Sequence, residues 1–312
     1  MPVTAVLLVL CGALLHASWN ALAKKMGAHG QTLHLVWLFS LLSLVPCVPL
    51  LFVWKDEIGL WLGQHDLAPV LMAAFGSAAV HIAYGMVLQT GYQRSAFTIV
   101  YPVARGTGPL ISSLGSIVLL AEWPSAGGWV GLSLLLLGIG MISGALPLVL
   151  GMLSTKAGQS HAAQLEAHNQ QRAGLIWGVA TGFCIAAYTL IDGWAVKTTG
   201  IVVVAYYTLN LMGRVLLMLP WVLRDTRGLV RCAREHGRNA LLVGVLSTLA
   251  YVMVLSAAQI APLSYVAPLR EVSMLLGMIL GASVLREALT WQRITGTVLV
   301  VAGTACLIVL GA

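Results

Sequence analysis

Charge is what this chain has least of. Only 9% of its 312 residues are Asp, Glu, Lys or Arg, against 59% hydrophobic, whereas a soluble globular domain carries roughly 25% charged residues. So little charge excludes a water-facing surface of ordinary size and puts the chain in a membrane. The five cysteines (Cys11, Cys47, Cys184, Cys232 and Cys306) are far apart and form no C-x-x-C pair, which excludes a disulfide framework and a zinc site. Also missing are a G-x-x-x-x-G-K-[ST] phosphate loop, an H-E-x-x-H metal motif and a G-x-S-x-G nucleophile elbow. Their absence argues against ATP-driven transport and against the common hydrolase chemistries. No cofactor or metal is expected. The net charge of +7 would suit nucleic acid, but most basic residues fall in loops and at segment ends. That placement sets membrane orientation, so no nucleic-acid partner is expected.

Long apolar runs are what the chain has in abundance. A spanning helix needs about 20 predominantly apolar residues, and ten stretches qualify: 4–23, 32–54, 67–90, 96–120, 128–150, 173–193, 201–222, 239–260, 264–285 and 291–311. The first has no Lys or Arg before it and is too long for a usual signal-peptide core, so it reads as a retained helix. Two connections are long. Thr155 to Arg172 is a polar stretch. The other carries Arg224, Arg227, Arg231, Arg234 and Arg238 along one face of a short surface helix, suited to anionic lipid head groups.

A shift of 165 residues superimposes Arg105 on Arg270, Glu122 on Glu287, Gly131 on Gly296 and Gly138 on Gly303. Coincident Arg and Glu in a chain this poor in charge indicate an internal repeat. The expected organisation is residues 1–150 as a first five-helix repeat, 151–172 as a polar linker and 173–312 as a second. Five is odd, so the second repeat enters the membrane from the opposite side: an all-α fold of ten transmembrane helices in two inverted repeats, as in many secondary transporters. The paired Gly on the fifth and tenth segments suit close helix packing. Of the loops on the opposite face, only Lys55 and Lys197 are basic. The charge rule therefore puts the loops after the odd segments in the cytoplasm and both termini outside.

Ionisable residues at bilayer depth cost about 2.5–3.5 kcal/mol each on insertion scales and mark functional sites. Arg105, Arg214 and Arg270 qualify, with Glu271 beside the last and Asp192 closing the sixth segment. Pro102, Gly106, Gly108 and Pro109 flank Arg105, and Pro262 and Pro268 precede Arg270, so both segments are expected to be broken helices, a pointer to a transport site. His16, Trp19 and Asn20 share a face of the first segment by their spacing. Tyr207, Asn210 and Arg214 do so on the seventh, His81 and Tyr84 on the third, and Tyr188 and Asp192 on the sixth. The expected solute-binding set is Arg105, Arg270, Tyr101, Trp19, Asn20, His81, Tyr84, Tyr188 and Tyr265. If protons are coupled to transport, His16, Asp192 and Glu271 are the groups to carry them. Glu122 and Glu287 read as helix-capping residues and stand outside the site.

Three motifs carry a family resemblance. They are Leu15-His16-Ala17-Ser18-Trp19-Asn20, Tyr101-Pro102-Val103-Ala104-Arg105-Gly106 and Leu285-Arg286-Glu287. With the two five-helix halves, the chain resembles the EamA-type members of the drug/metabolite transporter superfamily over nearly its whole length. The resemblance implies a bacterial inner-membrane transporter, often an exporter of amino acids and other small metabolites. It also implies a central cavity away from the fifth and tenth helices, with Arg214 off the main path. It puts both termini in the cytoplasm, against the charge rule, and the sequence leaves that conflict open. The excess of intramembrane Arg favours an anionic or zwitterionic solute moved by alternating access. The alternative is a polytopic membrane enzyme or a channel acting on a small solute or lipid precursor. Expected partners are the small-molecule solute and anionic lipid at Arg224–Arg238, with a homodimer left as an option.

Overall fold

The computed structural model describes residues 2–27, 31–120, 125–143, 161–260 and 263–310. Among them the regular structure is helical: α1 (Val3–Lys25), α2 (Thr32–Leu42), α3 (Leu44–Val53), α4 (Lys55–Gln64), α5 (Ala68–Arg94), α6 (Phe97–Leu120), α7 (Ala126–Ser143), α8 (His161–Thr199), α9 (Val203–Val222), α10 (Thr226–Ile260), α11 (Leu263–Ser283) and α12 (Trp291–Leu310). Five stretches among the described residues are long and apolar enough to cross a membrane: Val3–Lys25, Thr32–Val53, Ala68–Arg94, Glu166–Val196 and Val203–Ala257. The last holds two helices, α9 and α10, joined by the 3-10 turn Leu223–Asp225.

Five local features depart from the sequence reading. The second apolar stretch breaks at Ser43 into α2 and α3. A further helix, α4, follows it, its first turn carrying Asp56 and Glu57, where acidic side chains favour the positive end of the helix dipole. Trp61 anchors α4 by donating from Nε1 to Thr199 O at 2.7 Å. The described part of the polar connection, from His161, is the start of the 39-residue α8. The Arg-rich stretch is likewise no separate helix but the beginning of the 35-residue α10. Nor is the backbone broken where expected: α6 runs through Pro102 and Pro109, and α11 through Pro268. Pro102 lies in the second turn of α6, where it removes a single ladder bond, to Thr98 O, and neighbouring helices support the rest.

Packing follows the repeat. α1 packs against α10 and α11, while its repeat counterpart α8 packs against α5 and α6. The first helix of each half therefore lies between the third and fourth helices of the other half. α9 on α5 matches α2 and α3 on α10, and α7 on α6 matches α12 on α11. The α7–α12 contact is the most extensive, and the repeated glycines build it. A Cβ on Gly138 would come 2.6 Å from Gly296 O, one on Gly296 2.7 Å from Gly138 O, and one on Gly303 2.8 Å from Gly131 O. Residue numbers rise on one helix as they fall on the other, so the pair is antiparallel, with backbones touching as small residues permit.

The Leu285-Arg286-Glu287 motif also links the halves. Arg286 adopts φ 55°, a left-handed turn unusual for a non-glycine residue, and Glu287 then reaches the start of α6. Its carboxylate accepts from Phe97 N at 2.7 Å, Thr98 N at 2.9 Å and Thr98 Oγ1 at 2.8 Å. These are orphan amides of a helix N-terminus, which an anion satisfies best. Glu287→Gln is expected to lower stability by about 1–2 kcal/mol, read as a drop in the unfolding midpoint in detergent. Glu122 lies outside the described residues.

Candidate functional site

Between the halves lies a cavity of about 350 Å³, at the lower end of the usual range for small-molecule sites. Helices α1, α2, α5, α6, α8, α9, α10 and α11 all contribute to its wall, and among the described residues α7 and α12 do not. Arg105 is 4% exposed and faces the cavity from α6; Arg270, its repeat counterpart, faces it from α11. The structure thus brings together two arginines 165 residues apart in sequence.

The aromatic wall includes two clusters built on residues expected from the sequence. In the first, His16 meets Trp19 edge-on at 5.2 Å and approaches Tyr101 at 6.2 Å, and Tyr101 stacks on Phe97 at 4.9 Å. Tyr101 is itself buried behind the lining. In the second, His81 stacks on Tyr188 with ring centroids 4.0 Å apart, and Tyr84 meets Tyr188 edge-on at 5.5 Å. Asp192 lies near this second cluster, its Oδ2 3.9 Å from His81 Nε2. His16, Trp19, His81, Tyr84, Tyr188 and Asp192 all line the cavity.

Asn20 does not. It is 1% exposed, accepts from Tyr92 OH at 2.8 Å and donates to His16 O at 2.8 Å. It thereby ties α1 to α5. Lys24, one turn further, donates to Ser95 O at 2.6 Å and to Tyr92 O, closing the C-terminal end of α5. Tyr265 and Glu271 fall within α11, but their side chains lie outside the described residues. Arg214 lines the cavity from α9. Its Nε donates to Asn210 Oδ1 at 2.7 Å and its guanidinium lies 5.8 Å over the Tyr207 ring.

Several polar neighbours were not singled out from the sequence. Ser77, Tyr206 and Tyr251 surround Asp192. Ser77 precedes His81 by one helical turn, the spacing that could have found it. Gln89 lies eight residues, or about 12 Å of helix, beyond His81 on the same lining face of α5 and is 2% exposed. Gln89 Oε1 and Trp19 Nε1 are buried with no hydrogen-bond partner among the described residues. An acceptor and a donor thus border the same cavity. Leaving a buried polar atom unsatisfied costs about 1–3 kcal/mol. Gln89→Leu is therefore expected to raise the unfolding midpoint while weakening solute binding about tenfold, a split checked by thermal unfolding with and without solute.

A chain that is helical throughout its described regular structure, with five stretches fit to cross a membrane and a cavity between its helices, is a multi-pass membrane protein. The EamA-like transporter family matches residues 3–144 and 172–309, and the chain belongs to that family of membrane transporters. The two matched stretches are the two repeats. No curated protein matches the chain in sequence. A solved crystal structure of a protein with 14% sequence identity aligns over 98% of this chain and 97% of its own, with a TM-score of 0.55; it shows a shared fold.

Proposed function

We propose that the chain is a secondary carrier of a small anionic or zwitterionic metabolite, such as an amino acid, and that it exports this solute across a bacterial inner membrane. On this reading it crosses the membrane ten times as two inverted five-helix halves, 1–150 and 173–312, joined by 151–172. The two halves rock about the cavity to expose it to each side in turn. One observation carries the reading: Arg105 and Arg270, at matching repeat positions, line the same cavity between the halves. Two cations on the wall of one cavity favour an anionic group in it, and a carboxylate or phosphonate meets a guanidinium with bidentate geometry. The cavity volume suits a solute of amino-acid size. At the membrane surface, Arg227, Arg231 and Arg234 border a shallow groove with Val230, and anionic lipid head groups are the proposed occupants.

The test is a thermal-shift screen of amino acids, organic acids and phosphonates on the purified protein. Each hit is then carried into counterflow of the labelled solute in liposomes. Saturable uptake stimulated by unlabelled solute on the far side supports the carrier. Conductive, non-saturating flux would make the chain a channel, and chemical conversion of the solute would make it an enzyme; either result overturns the proposal.

A further inference from the structure

Asp192 is 4% exposed and held by hydroxyls from three other helices. Ser77 Oγ of α5 and Tyr206 OH of α9 both donate to Oδ1, the tyrosine at 2.7 Å, and Tyr251 OH of α10 donates to Oδ2 at 3.1 Å. The remaining neighbour is His81 of α5, with Nε2 3.9 Å from Oδ2. The other ring nitrogen, Nδ1, lies 3.0 Å from the Ser77 carbonyl oxygen. Ser77 Oγ lies 3.1 Å from the same nitrogen, but its proton goes to Asp192 Oδ1; both neighbours of Nδ1 therefore accept, and Nδ1 carries a proton. When the ring is neutral, Nε2 therefore presents a lone pair to a carboxylate oxygen, one acceptor facing another. One proton placed between them converts that opposition into a hydrogen bond or an ion pair.

We propose that Asp192 and His81 form the binding site of a coupling proton, separate from the arginine pair that holds the solute. This rests on the carrier reading above. Bound on Oδ2, the proton makes that oxygen a donor, and Nε2 accepts it. Delivered to the ring, it makes an imidazolium that donates to the carboxylate. In the first case Oδ2 becomes a donor and a poorer acceptor, so the hydrogen bond from Tyr251 weakens. Proton occupancy thus loosens a tie within the second half, α8 to α10, while strengthening a tie between the halves, α8 to α5. The other titratable or charged groups around the site, among the described residues, are Tyr84 of α5, Tyr188 of α8 itself, Tyr206, Tyr207 and Arg214 of α9, and Tyr251 of α10. Arg105 of α6 and Arg270 of α11 stand on the wall of the same cavity. Arg214 is fixed by Asn210 and Tyr207 and supplies a constant positive charge.

The first experiment needs no solute, so its failure is distinct from failure of the carrier reading. Infrared difference spectra of the protein in liposomes are recorded between about pH 5 and pH 8, the range in which histidine-linked sites exchange protons. A carboxyl or imidazole component present in wild type and missing from Asp192→Asn is the expected result. Identical difference spectra for the two proteins would overturn the proposal. Should Asp192→Asn not fold, Ser77→Ala keeps the carboxylate and removes one donor. It is expected to move the midpoint of that component, and an unmoved midpoint would overturn the proposal equally. With a solute in hand, an imposed pH gradient should accelerate wild-type uptake at least several-fold and leave Asp192→Asn uptake unchanged. An equal response in both proteins would remove the coupling role.

Discussion

Replacing Arg105 by Ala is expected to lower apparent solute affinity about a hundredfold or more, with the protein still folded and inserted. Truncating one partner of a buried charged contact costs about 2–5 kcal/mol, and each 1.4 kcal/mol is a factor of ten. Arg105 is 4% exposed and borders the cavity, so its charge has no bulk water to fall back on. Arg105→Lys keeps the charge but loses the planar fork, and an intermediate loss of about tenfold is expected. The measurements are counterflow KM and solute-induced thermal shift. Stability separates this role from a purely structural one. If Arg105 served only to pair helices, its removal would strand a buried partner and lower stability by about 3–5 kcal/mol. A solute-binding arginine gives the opposite pattern, an unchanged or raised unfolding midpoint with lost binding. Arg270→Ala is expected to behave alike, because the repeat places it on the opposite wall of the same cavity.

The second large effect is on the fold. Gly138→Leu should cost about 3 kcal/mol or more and leave little protein in the membrane. The nearest obstacle to a Cβ at Gly138 is the backbone oxygen of Gly296, at 2.6 Å, followed by Val300 Cγ2 at 2.7 Å and Val300 N at 2.8 Å. Backbone atoms cannot swing aside as a side-chain end can. The only relief is separation of α7 from α12, which forfeits the broadest contact in the molecule. Gly303→Leu meets Gly131 O and should fail in the same way. Gly76→Leu is the control. It also lies in a transmembrane stretch, but nothing comes within 4 Å of its Cβ position, so expression and unfolding midpoint should stay near wild type. Equal losses at Gly76 and Gly138 would show that the Gly138 effect is not one of helix pairing.

Much of the site was written in residue type. Arg105, Arg270 and Asp192 stand out because charge is so scarce at bilayer depth, and His16, Trp19, His81, Tyr84 and Tyr188 follow from helical spacing to a polar neighbour. Asn20 shares the spacing of His16 and Trp19 but turns to Tyr92 and a backbone carbonyl. Spacing gives the face of a helix to within a quarter-turn and says nothing of what packs there. Tyr206 was passed over for Tyr207, one position on. Only the approach of α8 and α9 decides that the phenol of Tyr206 reaches Asp192. Gln89 carried no signal, since an amide between Leu88 and Thr90 reads as an ordinary interruption.

The same division holds for the fold. Apolar length, scarce charge and the 165-residue correspondence determined by themselves that the chain is a membrane protein of two related halves, and that paired glycines mark a close helix contact. Tertiary structure alone decided that the halves interleave, with α1 against α10 and α11 and α8 against α5 and α6. It alone made the Arg-rich stretch continuous with α10, and it alone let α6 pass unbroken through its prolines. The reason lies in the solvent. In water a helix must display a polar face, and its period shows which side packs. In lipid both the packed and the lipid-facing sides are apolar, so hydropathy marks where helices lie and is silent on which of them meet.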